Sequence, residues 1–156
     1  MAGKLSAGLL LYRRRPALEV LIAHMGGPFW ARKDDRAWSI PKGEYGADED
    51  PFAAACREFA EELGSPAPDL HYLHLGSDRL PGGKRLTVWA GEADFDTSRV
   101  LSNTFDLEWP PKSGRVQAFP EIDSAQWVPP DLARIKLVAS QVGFVDRLLA
   151  AGDTGR

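Results

Sequence analysis

The stretch Gly43-Glu44-Tyr45-Gly46-Ala47-Asp48-Glu49-Asp50-Pro51-Phe52-Ala53-Ala54-Ala55-Cys56-Arg57-Glu58-Phe59-Ala60-Glu61-Glu62-Leu63-Gly64-Ser65 decides how this chain is read. Its second half predicts a helix from Asp50 to Gly64. Asp50 can accept hydrogen bonds from first-turn amides, Pro51 has no amide to leave unsatisfied, and Gly64 can end the helix in the left-handed conformation. Phe52, Ala55, Cys56, Phe59 and Leu63 recur at three- and four-residue spacing, an apolar stripe suited to lie on a sheet. Cys56 falls within that stripe and is read as a buried, unreactive thiol. Glu58, Glu61 and Glu62 take the opposite arc. Like charges four residues apart repel by roughly 0.2–0.5 kcal/mol, and carboxylates in a last turn face the negative end of the helix dipole. A divalent cation reverses both effects.

Outward from the helix, the ordered series Gly43, Glu49, Arg57-Glu58, Glu61-Glu62 and Gly64 resembles the signature of the Nudix hydrolases. Only Ser65 departs, standing where that signature has a bulky apolar residue. The resemblance implies an α+β fold of the Nudix type, an α/β/α sandwich with a mixed central sheet. It also implies hydrolysis of a pyrophosphate bond in a nucleoside diphosphate linked to another group, with Mg²⁺ or Mn²⁺ as cofactor. By position, Glu58, Glu61 and Glu62 are the metal ligands, with the backbone carbonyl of Lys42 as a further one. Hard oxygen ligands of this kind are what Mg²⁺ prefers, and the bound ion neutralises pyrophosphate charge. Arg57 and Glu49 match the pair that orients the helix, and Glu58 is a candidate general base. Glu121, in Phe119-Pro120-Glu121-Ile122-Asp123, lies in a late stretch from which some members bring another catalytic carboxylate.

Specificity rests on residues outside this segment. The entry Trp38-x-x-Pro41-Lys42-Gly43 resembles that of diadenosine polyphosphate and inositol-pyrophosphate hydrolases, so the expected substrate is a (di)nucleoside polyphosphate or a nucleoside triphosphate. The alternatives are a retired nucleotide- or RNA-binding module, which typically lacks one of the glutamates, and an RNA 5′-end pyrophosphohydrolase. Lys42, Gly43, Arg36, Lys84 and Arg85 are the candidate substrate-binding residues, with Arg32, Lys33 and Arg79 as further cations. Tyr45, Trp89 and Trp109 are candidates for stacking on a base, against a competing reading as core or rim.

Composition sets the frame. A chain of 156 residues with 44% hydrophobic residues is expected to form a single domain over 1–156, with a core that needs no staples. No apolar run approaches the roughly 20 residues that span a bilayer, and the single Cys56 cannot make an internal disulfide, which points to the cytoplasm. The net charge of −3 offers no whole-protein case for nucleic acid as a partner, whereas the resemblance implies a small phosphate-bearing substrate and is compatible with a homodimer. That net value averages unlike parts: residues 44–62 hold seven acids and one base, while residues 13–42 hold seven bases and three acids. Strands are expected at Leu5–Tyr12, Leu18–His24, Trp38–Ile40, His71–Leu75, Arg85–Ala93 and Ala125–Val128. Residues 94–120 read as an irregular connection, Pro129-Pro130 as a stop, and Val138–Leu149 as a second and last helix.

Overall fold

The computed structural model describes residues 4–154. Nine strands follow in chain order: β1 (Leu5–Arg14), β2 (Leu18–Met25), β3 (Trp38–Ser39), β4 (Lys42–Tyr45), β5 (Leu73–Arg79), β6 (Arg85–Glu92), β7 (Thr104–Glu108), β8 (Val116–Pro120) and β9 (Ile122–Val128). Three α-helices accompany them: α1 (Pro51–Leu63) between β4 and β5, then α2 (Pro130–Lys136) and α3 (Val142–Thr154) after β9.

The two N-terminal apolar runs pair antiparallel, with Tyr12 opposite Val20, and β1 also runs parallel to β6 with Leu9 opposite Trp89. A parallel pair needs a crossover, and the intervening chain that carries α1 supplies it. β5 pairs antiparallel with β6, β9 and β3 with β2, and the short β4 with the first half of β1, which completes a mixed seven-stranded sheet. Side chains alternate across a strand, so β1 serves two cores. Ala7, Leu9 and Leu11 pack with Ala54, Ala55, Phe59 and Leu63 of α1, while Leu10 joins Val20, Ile22 and Val88 against Ala133, Phe144 and Val145 of α2 and α3. The fold is the expected α+β sandwich, with a mixed sheet between helical layers. Each large apolar side chain sealed in these layers contributes about 1.5–3 kcal/mol relative to exposure.

The helix decided by sequence forms where expected. The Asp50 carboxylate accepts from the Ala53 amide at 2.9 Å, and Gly64 has φ +77° with its amide donating to the Ala60 carbonyl at 2.8 Å. A side chain at Gly64 would meet the Leu101 carbonyl as well as the strain of that φ. Cys56 is half-buried, and burial raises its thiol pKa, in keeping with an inert role.

Several expectations change: the strand expected at His71–Leu75 runs from Leu73 to Arg79, and Lys42–Tyr45 forms an unexpected strand. Residues 94–120 are not wholly irregular, because β7 and β8 pair antiparallel from Thr104 opposite Pro120 to Glu108 opposite Val116. The strand ends at Val128 before Pro129-Pro130 as expected, but an unexpected helix, α2, follows at once, with Pro130 in a first-turn position where no amide is required. The last helix begins at Val142, not Val138, whose φ/ψ of −53°/139° is extended. Among the described residues, no helix is long and apolar enough to cross a membrane.

Candidate active site

The strip Trp38–Glu44 crosses the molecule between the two helical layers. On one side Gln141, which is buried, accepts the Ile40 amide at 2.7 Å and donates to the Ser39 hydroxyl at 3.0 Å. On the other side the Lys42 amide donates to Glu62 Oε1 at 3.2 Å, and the Pro41 carbonyl accepts from Leu9 at 3.1 Å. Gly43 follows and lies flat under the side chain of Glu58. A Cβ on Gly43 would fall 1.9–2.2 Å from the Glu58 carboxylate atoms, so only glycine leaves room for that carboxylate against the strand.

Glu58 is the most exposed to consequence among these groups. Its side chain is only 13% accessible, and its Oε2 is buried with no hydrogen-bond partner. Burial, then the negative charge of Glu61, pushes the Glu58 pKa up to about 7. Burial likewise pushes Glu62 up to about 8, against the pull of Lys42 and with the charges of Glu121 and Glu58 adding to the rise. Glu121, at the β8–β9 junction, is raised by burial and by Glu61, against Lys42. The structure therefore brings Glu58, Glu61, Glu62 and Glu121 to one place. It is anchored through the backbone: Asn103 donates to the Glu61 carbonyl at 2.9 Å, and Glu121 donates to the Asn103 carbonyl at 2.9 Å.

On the outer side of α1 the pairing is complete. Arg57 donates Nε and Nη2 to the two oxygens of Glu49, both at 2.9 Å, and Nη1 to Glu61 at 3.3 Å. Nη1 also stands 3.5 Å from Glu58 Oε2, at ion-pair but not hydrogen-bond geometry. The Arg57 guanidinium holds the Glu49 carboxyl below the usual range. This bidentate fork ties the loop before α1 to the middle of the helix.

A buried, unpartnered carboxylate oxygen and two carboxyls raised by burial fit a divalent cation, whose charge offsets their desolvation. Among the described residues, no three His, Cys, Asp or Glu side chains enclose a cation by themselves. Glu61 is turned to Arg57 instead. Such an incomplete set suits Mg²⁺, which keeps several waters and takes few carboxylates together with substrate phosphates.

The candidate phosphate contacts divide. Lys42 and Gly43 line the carboxylate cluster, and Lys84 lies beside β4, where its Nζ pairs with Glu44 at 3.0 Å. Arg85 begins β6 and is exposed. Arg36 lies elsewhere: its guanidinium bonds the carbonyls of Arg134 and, at 3.0 Å, Leu137 at the end of α2. Tyr45 and Trp89 pack partly buried against the core beneath α1, whereas Trp109 sits edge-to-face on Phe29 with centroids 5.5 Å apart. Gln141, Ser39 and Asn103, which fix the strip and Glu61, carry no signal in the sequence because their partners are far away along the chain.

A family model described as NUDIX domain matches residues 4–148. The chain is similar to an RNA pyrophosphohydrolase of Rhizobium meliloti, 31% identical over 140 residues that cover 74% of this chain and 78% of the relative. It is also similar to an RNA pyrophosphohydrolase of Rhodospirillum rubrum, 33% identical over 135 residues, covering 81% and 78% respectively. In fold it is similar to an Ap4A hydrolase of C. elegans in a binary complex, with TM-score 0.64 and 23% identity over 97% of this chain and 99% of that one. A MutT protein from Methanosarcina mazei gives TM-score 0.63 at 18% identity, covering 97% and 96%.

Proposed function

The chain belongs to the NUDIX domain family and is a Nudix pyrophosphohydrolase, and from that premise we propose that it cleaves the 5′-triphosphate of an RNA end, with Mg²⁺ or Mn²⁺ bound at the α1 glutamates. The observation that carries the chemistry is the buried Glu58 Oε2, which has no hydrogen-bond partner and lies against Gly43. The substrate is suggested by the two similar RNA pyrophosphohydrolases, which supply the case for nucleic acid that net charge does not. Smaller nucleoside polyphosphates are a second reading, favoured by the Lys42-Gly43 entry and by the fold likeness to an Ap4A hydrolase.

Glu58 and Glu62 are the groups that would hold the cation, with Glu61 and the Lys42 carbonyl completing the protein's share. When bound, the cation neutralises phosphate charge and acidifies water. Arg57, gripped by Glu49, sets the rotation of α1 and with it the carboxylates. Lys42 places a positive charge where the phosphates meet the cluster, felt by both Glu62 and Glu121. Glu121 faces the cluster from another element and stays open to solvent, which suits it to take a proton from the attacking water and release it.

The test is a hydrolysis assay of purified protein on a 5′-triphosphorylated oligoribonucleotide, ATP and diadenosine tetraphosphate, with Mg²⁺, Mn²⁺ or chelator. Metal-dependent conversion of the RNA 5′ end to a monophosphate, at higher kcat/KM than for the two nucleotides, is the expected result. Turnover of nucleotides alone would move the assignment to the second reading.

A further inference from the structure

Away from the carboxylates, Phe29 is 58% exposed and meets Trp109 edge-to-face at 5.5 Å and 83°. In that geometry one ring keeps both faces clear of its partner. The two rings come from different segments, the β2–β3 loop and the turn between β7 and β8, and both are held firmly. The Trp109 amide donates to Arg115 at 2.9 Å, Gln117 Nε2 donates to the Trp109 carbonyl at 2.8 Å, and the Gly114 amide donates to Glu108 at 3.0 Å. The loop is pressed onto the hairpin at its root, where Gly27, at φ +93°, leaves no room for a Cβ beside the Phe105 ring and Gly26 donates to the Glu121 carbonyl at 2.8 Å.

The hairpin thus starts at the carboxylate cluster and ends at the ring pair. Pro120 to Val116 along β8 is four residue steps, about 14 Å. In the two segments that carry the rings, Arg32, Lys33, Lys112 and Arg115 have no carboxylate within ion-pair distance among the described residues. Lys33 lies over the Trp30 ring at 5.3 Å, and Asp34 in the same loop is already taken by Lys136 at 2.7 Å. A mononucleotide or dinucleoside polyphosphate delivers its phosphates to the glutamates and brings none to these cations. A polynucleotide carries further phosphates along its backbone.

We propose that Phe29 and Trp109, flanked by Arg32, Lys33, Lys112 and Arg115, form a stacking platform for a nucleobase of single-stranded RNA downstream of the 5′ end held at the glutamates. This deepens the RNA reading above and rests on it for the position of the 5′ end. Base–aromatic stacking contributes about 1–3 kcal/mol per base, and a preformed pair of rings loses little freedom on binding.

The experiment measures fluorescence anisotropy of a labelled, single-stranded oligouridylate with a 5′-hydroxyl end, so binding is read without hydrolysis. Phe29→Ala and Trp109→Ala are each expected to weaken binding by roughly 5- to 150-fold, the equivalent of that stacking energy, whereas Trp109→Phe keeps a ring and stays within a few-fold of wild type. Lys112→Asn, which tolerates the φ of +62° at that position, combined with Arg115→Ala should flatten the salt dependence of binding. In parallel, the kcat/KM preference for a triphosphorylated oligonucleotide over ATP should fall in both alanine variants, through KM. Wild-type protein that fails to bind the oligouridylate, alanine variants that bind it unchanged, or an equal loss on ATP and RNA would each overturn the platform. Wild-type protein that binds the oligouridylate but cleaves no triphosphorylated end would leave the platform standing and remove the RNA hydrolysis reading.

Discussion

Carboxylates on the two sides of one short helix, Glu49 in the loop before α1 and Glu58 and Glu62 on α1 itself, behave in opposite ways. On the outer side, Glu49 meets the Arg57 fork at 2.9 Å through both oxygens and its pKa falls. On the inner side, Glu58 and Glu62 lie against β4 with one backbone amide between them, and their pKa values rise to about 7 and about 8. The residues have the same chemistry and differ in what answers their charge. An internal arginine satisfies the first set and makes it a brace. The second set meets only weaker compensation, from Arg57 at 3.5 Å from Glu58 and from Lys42 near Glu62, so burial wins there, as the proposed cation site requires.

Removing the inner charge should have the largest effect. Glu62→Gln should keep the fold and lower kcat by roughly 10²–10³-fold, the scale on which one group stabilising transition-state charge acts. Steady-state kinetics beside a circular dichroism spectrum checks this. Glu121→Gln should cost about 10²-fold in kcat and remove the acidic limb of the pH–rate profile, whereas a solvated bystander would leave both unchanged.

The brace is expected to matter less. Arg57→Lys cannot reproduce two parallel bonds to Glu49 and should lower activity by roughly 10–100-fold, with a higher Mg²⁺ requirement. Gly43→Ala attacks the inner side from the strand, because its methyl group overlaps the Glu58 carboxylate, and should raise the Mg²⁺ requirement by a similar factor.

The smallest effect is on metal-free stability, and its sign distinguishes the two sets. A carboxyl with a raised folded-state pKa holds its proton more tightly in the fold than when unfolded. The contribution of Glu62 is therefore present in full below about pH 4.5 and is lost as pH rises through about 8. Glu49, whose pKa is lowered, contributes above its unfolded pKa and loses that contribution on acidification. Thermal melts in chelator should accordingly show wild type losing stability between pH 5.5 and 8.5 relative to Glu62→Gln. Added Mg²⁺ should restore more stability at the higher pH.

What the sequence made legible follows range of interaction. The α1 caps at Asp50 and Gly64, its apolar stripe and the Glu49–Arg57 spacing are local, and each appears in the fold as read. Ala54 is a buried member that the stripe omitted. In the β7–β8 hairpin, Thr104–Glu108 does alternate polar and apolar residues and could have been read as a strand, whereas its partner Val116–Pro120 is mostly exposed and shows no such alternation. Pro130 looked like a breaker because its first-turn role is visible only once the helix beyond it is known. At the site, the glutamates were legible from their pattern, but the Gln141 bond to Ile40 spans 101 residues and nothing local announces it. Arg36 looked free to meet phosphate, and only tertiary structure reveals that α2 claims it.

Calorimetric titration of metal-free protein with Mn²⁺ at pH 8 tests the central claim most directly, comparing wild type, the Glu58→Gln/Glu62→Gln double variant and Glu49→Gln. The division of labour on α1 predicts that the double variant loses specific Mn²⁺ binding, whereas Glu49→Gln binds with affinity reduced by no more than roughly 10–100-fold. Unchanged Mn²⁺ affinity in the double variant would contradict it.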